Sequence, residues 1–304
     1  MPQIEFGWAM PSGPKKEHVA TYMQDVRHGL ELVNGHFSSA WFVDHLQFDD
    51  NNLLEGWTAL TYFAALRPEL KFGHAVLCQS FRNPALLAKM AATFQFMTGG
   101  RFILGIGAGW KEDEYKAYGY PFPPAGQRVD ELEETMQIIK ALWHDERATV
   151  HGKYYRVEEA WCEPKPDPLP TIMIGGSRPR MLRLIARHAD WWNVSWTPIE
   201  DYRPQVEECE RACEEVGRDP GTLRRTWFGG CVCAPTEKEA EELLGKPLAE
   251  FNHGLGGTPE QLIEKMGKFI ELGVDYFMLS AVGFPNLITL ELLVNEVMPA
   301  LNSK

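Results

Sequence analysis

The sequence predicts an α/β protein of the (β/α)8 TIM-barrel class, on three observations. Strand-like and helix-like segments alternate along nearly the whole chain, about eight strands are each followed by a helical segment, and 304 residues suit such a barrel. A repeated β-then-α order implies parallel strands. A doubly wound open sheet shares that order, but eight units in this length favour closure.

The first strand is the short run IEFGWA (4–9), followed by a helical stretch around 17–34. SAWFVDHL (39–46) reads as a second strand ending in polar residues, and LKFGHAVL (70–77) as a third. PALLAKMAATFQFM (84–97) has helical apolar spacing, and Pro84 suits a first helical position, where no amide hydrogen is needed. RFILGIG (101–107) is a nearly unbroken apolar strand, as expected where both faces are covered. RVDELEETMQIIKALWH (128–144) is a long amphipathic helix.

The alternation pauses over 148–171, which has room for one hairpin and a proline-rich approach. An insertion between strands 4 and 5 explains this better than a linker, because TIMIGG (171–176) and RPRMLRLIARHA (178–189) resume the pattern at once. Next come DWWNVSW (190–196), a helix over 200–216 and RRTWFGGCVCA (224–234). An irregular segment to 257 separates strands 7 and 8. TPEQLIEKMGKFIELG (258–273), VDYFMLS (274–280) and a helix near 287–301 complete the chain. Residues 1–304 are therefore expected to form one domain.

Apolar residues make up 44% and aromatics 12%, enough for a large core. A formal net charge of −12 argues against nucleic acid as a partner, since a broad phosphate-binding surface needs clustered Lys and Arg. One anion pocket needs only a few cations and oriented amides. No run approaches the ~18 apolar residues of a membrane span, and the N-terminus has no signal-peptide hydrophobic region. A soluble, reduced, cytoplasmic protein with no membrane partner is expected. The six cysteines contain no C-x-x-C pair, and ordinary buried residues are the expected reading of Cys209/Cys213 and Cys231/Cys233. The nine histidines are scattered, so no metal site is expected.

GGRFILGIGAGW (99–110) raises a dinucleotide-loop reading, which fails. Gly105, Gly107 and Gly109 are spaced G-x-G-x-G, lie in the fourth strand, and precede Glu112, Asp113 and Glu114, which would repel a pyrophosphate. Alternate residues share one face of a strand, so the three bare positions either admit a flat ligand or relieve crowding inside the barrel.

IMIGGSRPRMLR (172–183) is the better anion site. A strand runs into Gly175, Gly176 and Ser177, with Arg178 next and Pro179 where a helix begins, so exposed amides, a hydroxyl and a guanidinium converge. A plain turn with solvated arginines is the alternative. Asp44 and His45 end strand two, at the face where barrel enzymes place catalytic groups. Imidazole takes and returns a proton near neutrality, and an adjacent carboxylate can fix its tautomer; a strand-capping pair is the alternative. There is no G-x-S-x-G, H-E-x-x-H or Walker loop to support a hydrolase. Trp8, Trp41, Trp110, Trp191, Trp192 and Trp196 fall near strand ends, where they wall a ligand pocket or pack the core.

Over nearly its whole length the chain resembles the bacterial-luciferase-like flavin- and deazaflavin-dependent oxidoreductases. The resemblance is carried by WFVDHL, FRNPALLAKMAATFQFMTGGRFILGIGAGWKEDEYKAYGYPFP, RVDELEETMQIIKALW, IMIGGSRPRMLRLIARHADWWN and GTPEQLIEKMGKFIELGVDYFML. It implies a (β/α)8 barrel with an insertion and a flavin or coenzyme F420 at the strands' C-terminal ends. Members that use F420 carry an Asp-His pair at the end of strand two. The likeness thus makes His45 the proton donor or acceptor and Asp44 a cofactor-contacting residue. It places Gly107, Ala108, Gly109 and Trp110 beside the cofactor and its phosphate at Gly175, Gly176, Ser177 and Arg178. It further implies a non-proline cis peptide near Ala75-Val76, pressed against the ring.

Luciferase proper has Cys-Arg where Gly107-Ala108 stand, which lowers the case for its chemistry. No equivalent of the sugar-phosphate dehydrogenases' cation set stands in 190–198 or 250–285, which argues against a phosphorylated sugar. The expected function is hydride transfer between F420 and a small organic substrate, of alcohol/carbonyl or activated-alkene type. The alternative is a reduced-FMN monooxygenase fed by a separate flavin reductase. A homodimer is expected by the same likeness.

Overall fold

A computed structural model describes residues 3–49 and 51–303. In chain order its first half contains β1 (Glu5–Ala9), α1 (Tyr22–Val33), β2 (Ser39–Phe42), α2 (Gly56–Leu66), β3 (Lys71–His74), β4 (Leu77–Cys78), α3 (Pro84–Thr98), β5 (Phe102–Gly107), α4 (Glu112–Ala117) and α5 (Ala125–His144). The hairpin β6 (Ala148–His151) and β7 (Arg156–Ala160) follows, then β8 (Thr171–Gly175), α6 (Pro179–His188), β9 (Trp191–Ser195) and α7 (Ile199–Glu215). The chain continues through β10 (Arg224–Cys233), α8 (Glu237–Leu244), β11 (Leu255–Gly257), α9 (Pro259–Ile270) and β12 (Val274–Ala281). A last helical stretch joins α10 (Ile288–Leu292) and α11 (Met298–Asn302) through a π-helical turn.

Eight parallel strands close the ring in the order β1, β2, β3, β5, β8, β9, β10, β12, with β12 pairing back onto β1. The expected (β/α)8 barrel is therefore what the chain forms. The antiparallel β6–β7 pair is the insertion between the fourth and fifth barrel strands. The segment expected to be irregular before residue 257 is more ordered than that. Thr236 caps α8 by accepting from the Glu239 amide, Gly245 ends it at φ 74°, and β11 pairs with β10.

At three further helices a side chain satisfies the first amides. Glu55 accepts from Trp57 and Thr58 at α2, Asn83 from Ala85 and Leu86 at α3, and Thr258 with Gln261 forms a capping box at α9.

The barrel interior is filled at one end and open at the other. Trp41, Ile103, Met173, Tyr276 and Met278 pack together inside. Gly7 and Gly73 on the neighbouring strands make room for Trp41, since a Cβ at either would lie 2.3 or 2.5 Å from its ring. Beneath this layer Arg224 pairs with Asp275 and Glu5 and lies against the faces of Trp191 and Tyr276. Packing at one end leaves the C-terminal ends of the strands to form the cavity, as in other barrels of this class. Among the described residues no helix is long and apolar enough to cross a membrane.

Candidate functional site

A cavity of about 970 Å³ opens at the strands' C-terminal ends. Every residue to which the sequence assigns a catalytic or cofactor-binding role lines it: Asp44, His45, Ala75, Val76, Gly107, Ala108, Gly109, Trp110, Gly175, Gly176, Ser177 and Arg178. The structure thus brings together loops after β2, β3, β5 and β8 that lie far apart in the chain.

His45 is held by a residue that sequence reasoning assigned no role at the site. Its Nδ1 lies 3.0 Å from Glu114 Oε2, while Glu114 Oε1 accepts the amide hydrogens of Leu46 and of Gln47, the latter at 3.2 Å. Glu114 acts as acceptor toward all three, so Nδ1 carries the hydrogen and donates. That tautomer leaves Nε2 with its lone pair free, and no described residue bonds to it. The Glu114 side chain is 2% exposed and the His45 side chain 22%, so the base reaches the cavity and its anchor does not. Phe48 and Trp110 meet the imidazole edge-on at 5.0 and 5.8 Å, fixing its plane.

The acidic run after the glycines reads at first as a reason against phosphate. On α4 its members separate: Glu112 and Asp113 are exposed, whereas Glu114 turns inward. A short helix beginning just after the strand's end was the only available signal.

Asp44 faces a different partner. Arg82 donates to its two oxygens at 2.8 Å each, and the Cys78 amide donates at 2.9 Å. Burial pushes the Asp44 carboxyl above its usual range, and the Arg82 contacts oppose that shift. The two parallel bonds are those of an ion pair. Burial also weakens Arg82's hold on its proton, but the contacts with Asp44 and Glu55 outweigh it and raise the guanidinium's pKa. Asp44 therefore ties the end of β2 to the turn after β4, rather than presenting a free carboxylate.

The peptide between Ala75 and Val76 is cis, at the position the family likeness implied. It ends β3 early and turns Val76 into the cavity before β4 rejoins β5. The glycine run serves this bulge and its surroundings. A Cβ at Gly105 would lie 1.8 Å from the His74 carbonyl oxygen, and one at Gly107 2.9 Å from a Val76 methyl. Gly109 has φ 75°, and a Cβ there would lie 1.9 Å from the Tyr115 hydroxyl. Internal crowding thus gives a reason for each bare position, while Gly107 and Gly109 also line the cavity.

At the anion turn, Gly175 ends β8, Gly176 adopts φ 144°, and α6 starts with Pro179. No side chain caps this helix. Arg180, Arg183 and Arg187 pair with Asp130, Glu215 and Glu133, whereas Arg178 makes no ion pair among the described residues. The uncapped amides and this one guanidinium form a cationic corner of the cavity.

The tryptophans divide clearly. Trp110 and Trp196 line the cavity, while Trp8, Trp41 and Trp192 are buried packing residues and Trp191 joins the barrel interior. Cys78 also lines the cavity, but burial pushes its thiol up to about 11, so it stays protonated at neutral pH. Cys209, Cys213, Cys231 and Cys233 are buried. Among the described residues no group of three or more His, Cys, Asp or Glu could hold a metal ion.

The family described as luciferase-like monooxygenase matches residues 4–256. The phthiodiolone/phenolphthiodiolone dimycocerosates ketoreductase of Mycobacterium kansasii is 33% identical over 215 residues, 67% of this chain and 56% of that protein. The FMNH(2)-dependent dimethylsulfone monooxygenase of Pseudomonas putida is 28% identical over 170 residues, 55% of this chain and 46% of that protein. The match therefore spans only about half the length of these curated relatives. An F420-dependent secondary alcohol dehydrogenase, solved in complex with an F420–acetone adduct, shares the fold with a TM-score of 0.84. That likeness covers 98% of this chain and 99% of the other at 19% identity. The chain belongs to the luciferase-like monooxygenase family of oxidoreductases.

Proposed function

We propose that this protein, acting as one domain over residues 1–304, transfers hydride between coenzyme F420 and a small organic substrate of alcohol/carbonyl or activated-alkene type. The observation that carries the reading is the free Nε2 of His45, fixed as a base by Glu114 at the cavity wall. The site residues fit such a cofactor. The uncapped start of α6 with Ser177 and Arg178 suits its phosphate, and the Val76 bulge offers an apolar surface to a flat ring.

Bound deazaflavin supplies a two-electron hydride donor or acceptor. The protein's own part is the proton. When an alcohol is oxidised, Nε2 accepts the hydroxyl proton; in reduction the imidazolium returns it to the carbonyl oxygen. Glu114 holds the ring's orientation in both directions, with Phe48 and Trp110 packed against it. Asp44 and Arg82 set the position of the strand end that carries His45.

A second reading, reduced-FMN monooxygenation with a separate flavin reductase, is favoured by the similarity to the dimethylsulfone monooxygenase. Titrating the purified protein with F420 and, separately, with reduced FMN decides between the two. F420 binding that weakens in Arg178→Ala supports hydride transfer; tight FMN binding with no F420 response overturns it.

A further inference from the structure

We propose that the substrate held beside His45 is a neutral alcohol or ketone carrying a bulky apolar group, and that Trp196 sets this preference. The inference rests on the hydride-transfer reading above.

The charged side chains around His45 are already paired. Glu114 is bound to His45 itself, Asp44 to Arg82, and Lys111 to Asp113 at 2.8 Å while lying 4.6 Å from the Phe48 ring centre. The cavity-lining cations without an ion pair among the described residues are Arg178, on the anion turn, and Lys15, on the loop after β1; both are exposed. The side chains in contact with His45 (Glu114, Phe48 and Trp110) thus include no unpaired cation, and a phosphate or carboxylate pressed against them would lose water without gaining a counter-charge there.

What the wall does offer is aromatic surface. Phe48 and Trp110 flank the imidazole, and Trp196 packs edge-on against Phe228, with ring centres 6.3 Å apart. Trp110 is 64% exposed and Trp196 43%, so two large apolar side chains lining one cavity remain uncovered by the protein. Apolar surface of this kind gains most from an apolar ligand.

Trp196 is also held in place at a conformational cost. Its φ of 52° is in the left-handed region, rare for a bulky residue. Its amide donates to the Phe228 carbonyl at 2.7 Å, and its own carbonyl oxygen lies 3.1 Å from His253 Nδ1. Gly230 leaves room for the indole, since a Cβ there would lie 2.6 Å from it. Two main-chain hydrogen bonds thus hold the residue, and the bare position at Gly230 admits an indole that is left open toward the cavity.

The test is binding of methyl ketones from butanone to decanone to the cofactor-free protein, by calorimetry and intrinsic fluorescence, with decanoate as the charged control. Affinity should rise about fourfold per methylene while the chain stays within the apolar wall. Trp196→Ala should weaken decanone binding about tenfold and flatten the gradient, and Trp196→Phe should retain most of it. Decanoate binding tighter than decanone, or a gradient unchanged in Trp196→Ala, overturns the proposal. A protein that shows the gradient yet ignores F420 overturns the cofactor assignment and upholds this recognition.

Discussion

Glu114 Oε2 lies 3.0 Å from His45 Nδ1, and the same carboxylate fixes the backbone on the C-terminal side of the histidine through the amides of Leu46 and Gln47. One buried side chain therefore determines both which imidazole nitrogen carries the hydrogen and where the other one sits. A glutamine at 114 can turn either its oxygen or its amino group toward Nδ1, so it no longer specifies the tautomer. Glu114→Gln should lower kcat on the order of 10–100-fold with little change in cofactor affinity. His45→Ala should lose on the order of 10²–10⁴. Steady-state kinetics together with a cofactor titration check both, and a Glu114→Gln enzyme with wild-type kcat removes the positioning role.

The Asp44–Arg82 pair predicts a stability effect distinct from catalysis. The Asp44 side chain is 1% exposed and that of Arg82 10%, so removing one partner leaves a buried charge unmatched. Arg82→Met should cost roughly 3–5 kcal/mol in urea unfolding, and adding Asp44→Asn should recover part of that loss. A double-mutant cycle measures the coupling, and strictly additive losses would contradict a paired structure.

The glycines of β5 predict a graded response. At Gly107 the obstacle to a Cβ is a Val76 methyl, which a smaller side chain removes; at Gly105 it is the His74 carbonyl, which no substitution removes. Gly107→Ala should destabilise by about 1–3 kcal/mol and be largely rescued by Val76→Ala, whereas Gly105→Ala should be worse and show no rescue. Thermal melts of the wild type, Val76→Ala, the two Gly→Ala variants and each of those combined with Val76→Ala test this. Rescue at both positions would show that the crowding is not local.

These contrasts show what was legible from sequence. Apolar strands such as 101–107 and the glycine turn at 175–177 identify themselves, because burial on both faces and bare backbone restrict residue type. The Asp44-His45 pair was visible at a strand end. Glu114 and Arg82 were not, because they meet that pair only after folding, from 69 and 38 residues further along the chain. The helix α8 was hard to read because it is only eight residues long, so Ala240, Leu243 and Leu244 are its whole apolar stripe. Trp191 and Trp196 were indistinguishable as strand-end tryptophans, since whether a ring points into the barrel or toward its cavity depends on backbone angles that composition does not encode.

Acid should remove stability from this protein over two overlapping pH windows. His74 is fully buried, stacked on Trp57 with ring centres 5.3 Å apart, and burial lowers its pKa to about 3. The Gly56 backbone, whose carbonyl oxygen would favour the charged ring, does not reach hydrogen-bond geometry, so neither ring nitrogen has a partner among the described residues. The unfolded chain binds this proton near pH 6.5 and the folded one does not, so stability contributed above about 6.5 is lost as pH falls toward 3. Glu133 behaves alike at lower pH. Burial would raise its carboxyl, but hydrogen bonds from His188 and Arg187 prevail and hold it at about 2, so its contribution is lost only below about pH 4.3. His74→Phe, which keeps a flat ring against Trp57, should remove up to about 1.4 kcal/mol per pH unit of slope between about pH 6 and 4.5. Glu133→Gln should leave that interval unchanged and flatten the slope below it. Urea unfolding of the three proteins across this range tests the assignment, and a wild-type slope in His74→Phe would place the acid-sensitive group elsewhere.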